Sequence, residues 1–245
     1  VSSQSLSTSA TTQAVSSSGT SWYVRSTAAC ANNGNGTLSS CASSTGGAGA
    51  WRGLANINWS SVQPGDTVYL HGGDTYTDLM TVGKSGTGSG ATYTSPITIS
   101  VEGTSSGTNP AIIDVRNSSS VAISVSGRAY IIIDGIYGQA AIHDPSGTPD
   151  TNYGLRIINV GTNGGCVRDT GGGPFKVFHM DCSASQAGSG GDAHGGIVEQ
   201  SAAAGFEFAY NWIHGPSNSV HWAATGIICW CGTGGTSYTE NLIHH

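Results

Sequence analysis

Charged side chains are scarce in this chain of 245 residues. Asp, Glu, Lys and Arg make up 9% of it, whereas an average soluble domain is about a quarter charged. The Lys and Arg residues number 8 against 14 Asp and Glu and form no basic cluster, so the electrostatic footprint of a protein that binds nucleic acid is missing. The shortage of Glu and Lys also argues against amphipathic helices, which carry such residues on their solvent face.

Long apolar runs are absent as well. No stretch approaches the roughly 18 apolar residues of a membrane-spanning helix, which predicts no membrane insertion, and the chain does not open with a basic segment followed by an apolar one, as a signal peptide does. What is abundant is Gly, with 38 residues, and Ser, Thr and Asn, beside 37% hydrophobic residues. This composition predicts a hydroxyl-rich surface around an apolar core.

The chain divides into a tail and one domain. Residues 1–20 have no apolar periodicity and almost no charge, which predicts a disordered, Ser- and Thr-rich tail. From 21 to 245, short runs rich in Val, Ile, Thr and Tyr alternate with Gly, Ser and Asn turns, which is typical of strands. One segment differs: Trp51, Leu54 and Ile57 have helical spacing, and we expect a short helix over 51–62.

An internal repeat runs through the second half of the chain. FEFAYNWIHG at 206–215 aligns with TSYTENLIHH at 236–245 with a shift of 30. GGCVRD from 164, GGIVEQ from 195 and TGIICW from 225 align with shifts of 31 and 30. Two strand families with one period predict a solenoid, in which each coil stacks on the last and like side chains form ladders. Asn211 over Asn241 is the clearest ladder expected.

These segments resemble the right-handed parallel β-helix superfamily, the pectate-lyase-like proteins. The residues that carry the likeness begin with the entry segments SWYVRST, NNGNGT, WRGLANI, QPGDTVYLHGGDTY, SPITISVEG and NPAIIDV, and continue with AYIIIDGIYG and the coil ends YNWIHG and ENLIHH. The resemblance implies an all-β parallel β-helix over 21–245, with the 51–62 helix as its N-terminal cap. It also implies a secreted protein, and family members are usually longer, so C-terminal coils or a cap are expected to be missing.

The resemblance further implies a protein that acts on or binds extracellular polysaccharide, and that is lyase-like if it is an enzyme. Lyases of this fold combine a basic residue with acidic residues that bind calcium, in order to remove a proton beside a sugar carboxylate. The densest stretch of candidate groups is HMDCSASQAGSGGDAHGGIVEQ from His179. The candidates are Arg168, Lys176, Asp181 and Glu199 for catalysis, Asp192 and His194 for a calcium site, and Tyr210, Trp212 and His214 for substrate binding.

Simpler readings of these residues stay open. The shift of 31 places Arg168 beside Glu199 and Lys176 beside Glu207, and each pair is either a structural ion pair across the ladder or part of a site. Asp192 and His194 lie in a Gly- and Ser-rich loop that needs no metal to explain it. A second function also stays open: a structural or adhesive surface protein whose uncapped last coil stacks on another copy of itself.

Six cysteines complete the sequence evidence. Cys30 and Cys41 bracket a Gly-, Asn- and Ser-rich loop and predict a local disulfide, which together with the hydroxyl-rich surface favours an oxidising, extracellular compartment. Neither CxxC nor HxxxH occurs, so a zinc site is not expected. Cys229 and Cys231 allow a strained bridge, two buried thiols or pairing with the remaining two cysteines, Cys166 and Cys182.

Overall fold

The protein is almost entirely β-structure. Its structure is a computed structural model that describes residues 19–102, 109–116, 118, 120–135, 154–161, 164–184, 196–199, 203–214, 227–229, 236–239 and 242–244. The strands in chain order are β1 (Ser21–Arg25), β2 (Trp51–Arg52), β3 (Thr67–His71), β4 (Thr75–Tyr76), β5 (Met80–Thr81), β6 (Thr87–Ser89), β7 (Thr92–Ser95), β8 (Ile97–Glu102), β9 (Ala111–Asp114), β10 (Val121–Ser124), β11 (Ile131–Asp134), β12 (Leu155–Val160), β13 (Gly165–Arg168), β14 (Phe175–Phe178), β15 (Met180–Ala184), β16 (Ile197–Glu199), β17 (Phe206–Ala209), β18 (Trp212–His214), β19 (Ile227–Cys229), β20 (Thr236–Thr239) and β21 (Leu242–His244).

Nineteen of these strands form three parallel sheets, which the chain visits in rotation. The first sheet has the order β2-β1-β3-β8-β11-β14-β17-β20, the second β21-β18-β15-β12-β9-β4, and the third β19-β16-β13-β10-β5. From β3 to β19, each pass places one strand in the first, the second and then the third sheet, and each of these strands pairs in parallel with its counterparts one pass away. The remaining two strands, β6 and β7, form an antiparallel hairpin.

Alternation of side chains along each strand builds the core between the sheets. In the first sheet Ile97, Ile99, Ile131 and Ile133 are fully buried, and Phe175 continues their row one pass later. The residues between them face outward and are half-buried. This period of two is what a sheet with one face on the core requires.

The repeat predicted from the sequence agrees with most of the strand register. Phe206 lies opposite Thr236 and Ile213 opposite Ile243, both with the expected shift of 30, and Lys176 lies opposite Glu207 with the expected shift of 31. The predicted ladder of Asn211 over Asn241 cannot be described, because Asn241 lies outside the described residues.

One predicted pairing in this repeat is wrong. Arg168 lies opposite Val198, not Glu199. The carbonyl of Gly196 accepts hydrogen bonds from the amides of both Cys166 and Val167, which moves β13 by one residue relative to a simple alignment of the glycine pairs. Glu199 does lie opposite Cys229 as expected.

The helix predicted over 51–62 does not form. Trp51 and Arg52 are instead strand β2, which pairs with β1, and a single 3-10 turn follows at Leu54–Asn56. Gly53 separates them with φ of 91°, a left-handed conformation that interrupts any helix. The spacing did mark core residues, because Trp51 and Leu54 are both buried. It arises from a strand residue followed by a turn, and not from a helix.

The N-terminal edge of the first sheet is nevertheless covered. β2 adds two residues to the edge of β1, and Trp51 stacks on Trp22 with ring centroids 5.2 Å apart. The Arg52 side chain donates to the carbonyl of Cys30 at 2.6 Å, which ties down the loop that follows β1. Among the described residues, none forms a helix long and apolar enough to cross a membrane.

Two disulfides are present in the described part of the chain. Cys30–Cys41 closes the loop after β1, as predicted, with its Cα atoms 5.4 Å apart. Cys166–Cys182 links β13 of the third sheet to β15 of the second. This excludes the alternative in which Cys229 or Cys231 pairs with one of these two cysteines. Both are of the kind that persists in an oxidising compartment. The side chain of Cys229 and the whole of Cys231 lie outside the described residues, as does the predicted tail up to residue 18.

Candidate functional site

The corner between the first and second sheets carries polar and ionisable side chains. His179 directly follows β14 and Tyr210 directly follows β17, so they occupy the same position on successive passes. Both have positive φ, 53° and 58°, a conformation that costs free energy in residues other than Gly, Asn and Asp and that clusters at functional sites. On the preceding pass the same position is Gly135, where the corner has no side chain.

Three side chains pack together at this corner. The Nδ1 atom of His179 lies 3.0 Å from Oδ1 of Asp134, and the His179 ring stacks on the Tyr210 ring with centroids 5.2 Å apart and planes within 5°. The His179 side chain is 10% exposed and that of Asp134 28%. We call Asp134, His179 and Tyr210 the corner cluster.

The corner cluster fixes the orientation of the imidazole. When Nδ1 carries the hydrogen and donates it to Asp134, the lone pair lies on Nε2 at the other side of the ring. Tyr210 packs on one face of the ring and restricts its rotation. A carboxylate that holds a histidine in one tautomer is an arrangement that prepares the imidazole to accept a proton.

An ion pair lies just past the corner on the second sheet. Arg156 of β12 and Asp181 of β15 are opposite each other, and Nε of Arg156 donates to Oδ2 of Asp181 at 2.6 Å. The Asp181 side chain is 2% exposed, whereas that of Arg156 is 44% exposed. A buried carboxylate needs a charged or hydrogen-bonding partner. Asp181 has Arg156 as that partner and fixes the position of the arginine side chain. The bond uses Nε, so the Nη groups stay at the exposed end of the arginine.

A second ion pair lies on the outer face of the first sheet. Nζ of Lys176 lies 2.8 Å from Oε2 of Glu207, as the predicted alignment requires, and 4.7 Å from the centre of the Tyr93 ring. Tyr93 belongs to the β6–β7 hairpin and donates its hydroxyl hydrogen to the carbonyl of Gly205 at 3.1 Å. Burial raises the pKa of Tyr93 well above its usual range, with a further contribution from Glu207, so its hydroxyl stays protonated.

The sequence-predicted catalytic residues do not come together. Lys176 is on the first sheet, Asp181 on the second, and Arg168 and Glu199 on the third. Arg168 is half-buried, and its Nε is buried without a hydrogen-bond partner in the described part of the chain. Their catalytic roles stay predictions.

The predicted substrate-binding residues lie closer to one another. Tyr210 belongs to the corner cluster, and Trp212 and His214 follow on β18, where the half-buried Trp212 is opposite Asp181. The predicted calcium ligands Asp192 and His194 lie outside the described residues. Within the described ranges, no three His, Cys, Asp or Glu side chains are grouped as metal ligands.

Sequence reasoning pointed to His179 only as part of a dense polar stretch and missed Asp134. The two are 45 positions apart, and the signal that they share is a polar residue at the end of a first-sheet strand.

Comparison with family models, with curated proteins and with solved structures found no match. The residues of this chain therefore carry the functional argument alone.

Proposed function

We propose that the three sheets are the faces of a right-handed parallel β-helix that acts on acidic extracellular polysaccharide by a lyase-like reaction. The rotation of the chain through the sheets and the parallel pairing between passes support the helix. Parallel crossover connections are right-handed in about 98% of cases, which supports the hand. The two disulfides support secretion.

The observation that carries the proposed reaction is the contact between Asp134 and His179. A lyase removes the proton next to a uronate carboxylate, and the base must be neutral when the substrate arrives. In the corner cluster Nε2 of His179 is the proton acceptor, and Asp134 stabilises the imidazolium that forms. The abstracted proton passes to Nε2, and the electron pair left on carbon forms a C=C double bond and expels the glycosidic oxygen. The expelled oxygen leaves with the rest of the polymer and takes a proton from water, and the other fragment ends in an unsaturated sugar.

Arg156 supplies the positive charge in this proposal. Its side chain is 44% exposed and is held by Asp181. Asp181 lies on β15, the second-sheet strand that starts directly after His179. A planar guanidinium binds a carboxylate with two hydrogen bonds and stabilises the charge that builds up on it during proton removal. This role falls to Arg156 and not to Lys176, because Lys176 is bound by Glu207 under the Tyr93 ring.

A hydrolase has less support from the same geometry. Glycoside hydrolysis uses two carboxyl groups that face each other across the bond. Asp134 is bound to His179 and Asp181 to Arg156, so each of these two carboxylates holds another side chain.

End-to-end stacking into a filament also has less support. It needs an open strand edge at each end of the molecule. At the N-terminal end, β2 pairs with the last two residues of β1, and the loop closed by the Cys30–Cys41 disulfide lies beside it.

The test is an assay for unsaturated sugars by ultraviolet absorbance, with polygalacturonate, alginate and hyaluronan as substrates. We expect one of these polymers to be cleaved, and His179→Ala to lower the rate by at least about 100-fold, the usual contribution of a positioned general base. His71→Gln is the control, because His71 is a half-buried histidine at the end of β3 that does not belong to the corner cluster. Wild-type activity in His179→Ala would overturn the proposal.

A further inference from the structure

The outer face of the first sheet carries one continuous row of side chains that leads to the corner cluster. In register across successive strands, the row reads Tyr23, Tyr69, Ser100, Asp134 and Phe178. All five are half-buried, as expected for outward-facing residues on a strand. A ligand that lies along this row therefore reaches Asp134, which holds the base His179.

The row has a gap at its third position. Tyr23 and Tyr69 stack with ring centroids 5.8 Å apart and planes within 23°, so one face of the Tyr69 ring is covered by Tyr23. The neighbour on the other face is Ser100, whose side chain is too short to cover a ring. In the part of the chain that the structure describes, Tyr23 is the one aromatic ring stacked on Tyr69.

Tyr69, Ser100 and Asp134 thus enclose a slot one strand wide. Tyr69 and Asp134 are two strand positions apart, which corresponds to about 10 Å between their backbones. An aromatic face is one wall, a carboxylate-bearing residue the other, and a hydroxyl the floor. The slot is open in the direction away from the core, because all three side chains project from the outer face of the sheet.

We propose that this slot binds one sugar ring of the polysaccharide, next to the ring on which the corner cluster acts. The apolar C–H face of a pyranose packs on the face of Tyr69 opposite Tyr23, as flat apolar surfaces do on aromatic rings. The edge hydroxyls of the sugar reach Ser100 and Asp134, which offer a hydroxyl and carboxylate oxygens. The slot sets the register of the polysaccharide, because one sugar ring bound there places the following sugar ring at His179.

The chemistry of the slot selects a sugar over other ligands. A nucleic acid would need basic residues around the stacking ring, and the chain holds only 8 Lys and Arg in total. A purely apolar ligand would bury the hydroxyl of Ser100 without supplying a hydrogen-bond partner from its own atoms, which costs free energy. A sugar ring has both an apolar face and polar edges.

This inference rests on the proposed function, and its test separates the two. Ser100→Val fills the slot with a β-branched side chain suited to a strand, and Tyr69→Ala removes its aromatic wall. Tyr69→Phe keeps the wall, and Tyr23→Ala is the matched control, since Tyr23 packs on the covered face. The affinity of each variant for polygalacturonate, alginate and hyaluronan is measured by native electrophoresis through gels that contain the polymer, with thermal unfolding as the check on folding.

We expect Ser100→Val and Tyr69→Ala to weaken binding at least about tenfold, the loss of one stacked contact. Tyr69→Phe and Tyr23→Ala are expected to bind within about twofold of the wild type. If a polymer is cleaved but Ser100→Val and Tyr69→Ala bind it as the wild type does, the slot is wrong and the proposed function stands. If the wild type neither binds nor cleaves any of the polymers, the proposed function fails and the slot fails with it.

Discussion

His179 and Asp134, 45 positions apart in the chain, meet with 3.0 Å between Nδ1 and Oδ1. The contact depends on the parallel register of the first sheet, in which Asp134 lies opposite Phe178, the residue before His179. It therefore exists only when β11 and β14 are paired. Sheet formation and assembly of the corner cluster are the same event.

The first prediction concerns Asp134. Asp134→Asn preserves the shape of the side chain but removes the charge that we propose stabilises the imidazolium, and its amide can present a donor to Nδ1. We expect kcat on the cleaved polymer to fall by about 100-fold or more, with a smaller change in KM and an unchanged melting temperature. Steady-state kinetics on the purified variant checks this, and a kcat equal to that of the wild type would contradict it.

The second prediction concerns the buried carboxylate on the second sheet. Arg156→Ala leaves Asp181, which is 2% exposed, without its charged donor. We expect the free energy of unfolding to fall by about 2 kcal/mol, as for the loss of a hydrogen bond to a charged group. Denaturant unfolding of Arg156→Ala measures this. Arg116→Ala is the control, since Arg116 is exposed and its loss should change the free energy by less than about 0.5 kcal/mol.

The third prediction concerns Asn211, which is completely buried. Its Oδ1 accepts from the amide of Met180 at 3.1 Å, and its Nδ2 donates to the carbonyl of Val177 at 3.0 Å. Asn211→Ala leaves both backbone groups buried and unpaired. We expect a loss of about 2–4 kcal/mol from two unsatisfied groups. If the free energy of unfolding, measured with denaturant, falls by less than about 0.5 kcal/mol, these two hydrogen bonds do not stabilise the corner.

The fourth prediction concerns the disulfide between the second and third sheets. Cys182 is fully buried, so replacing both cysteines by alanine keeps the core apolar. For a sequence separation of 16, the double variant Cys166→Ala and Cys182→Ala should unfold with a free energy lower by about 3 kcal/mol. Equal midpoints for the variant and the oxidised wild type in denaturant would contradict this, and the reduced wild type, which lacks the Cys30–Cys41 disulfide as well, should be no more stable than the variant.

The sequence was informative where one local rule decided the outcome. Short runs rich in Val, Ile, Thr and Tyr, such as the one around Ile131 and Ile133, predicted strands, and the shift of 30 predicted which strands stack, as in Phe206 opposite Thr236. The helix over 51–62 was wrong because the same apolar spacing serves a strand followed by a turn when Gly53 has positive φ.

The corner cluster was hidden from the sequence by an irregular pass. Ile131 lies opposite Phe175, a separation of 44 residues instead of 30 or 31. An alignment based on the regular repeat therefore does not bring Asp134 near His179. The pairing of Arg168 with Glu199 failed for a related reason, since a one-residue irregularity at Gly196 is not visible in the alignment of glycines.

Chemical rescue is the measurement that tests the role of His179 most directly. His179→Gly removes the imidazole and suits the φ of 53° at this corner, and added imidazole can then take the place of the side chain beside Asp134. The initial rate of unsaturated sugar formation is measured with and without imidazole. We predict a rate at least about 100-fold below that of the wild type, which imidazole partly restores. An unchanged rate in His179→Gly would contradict the account.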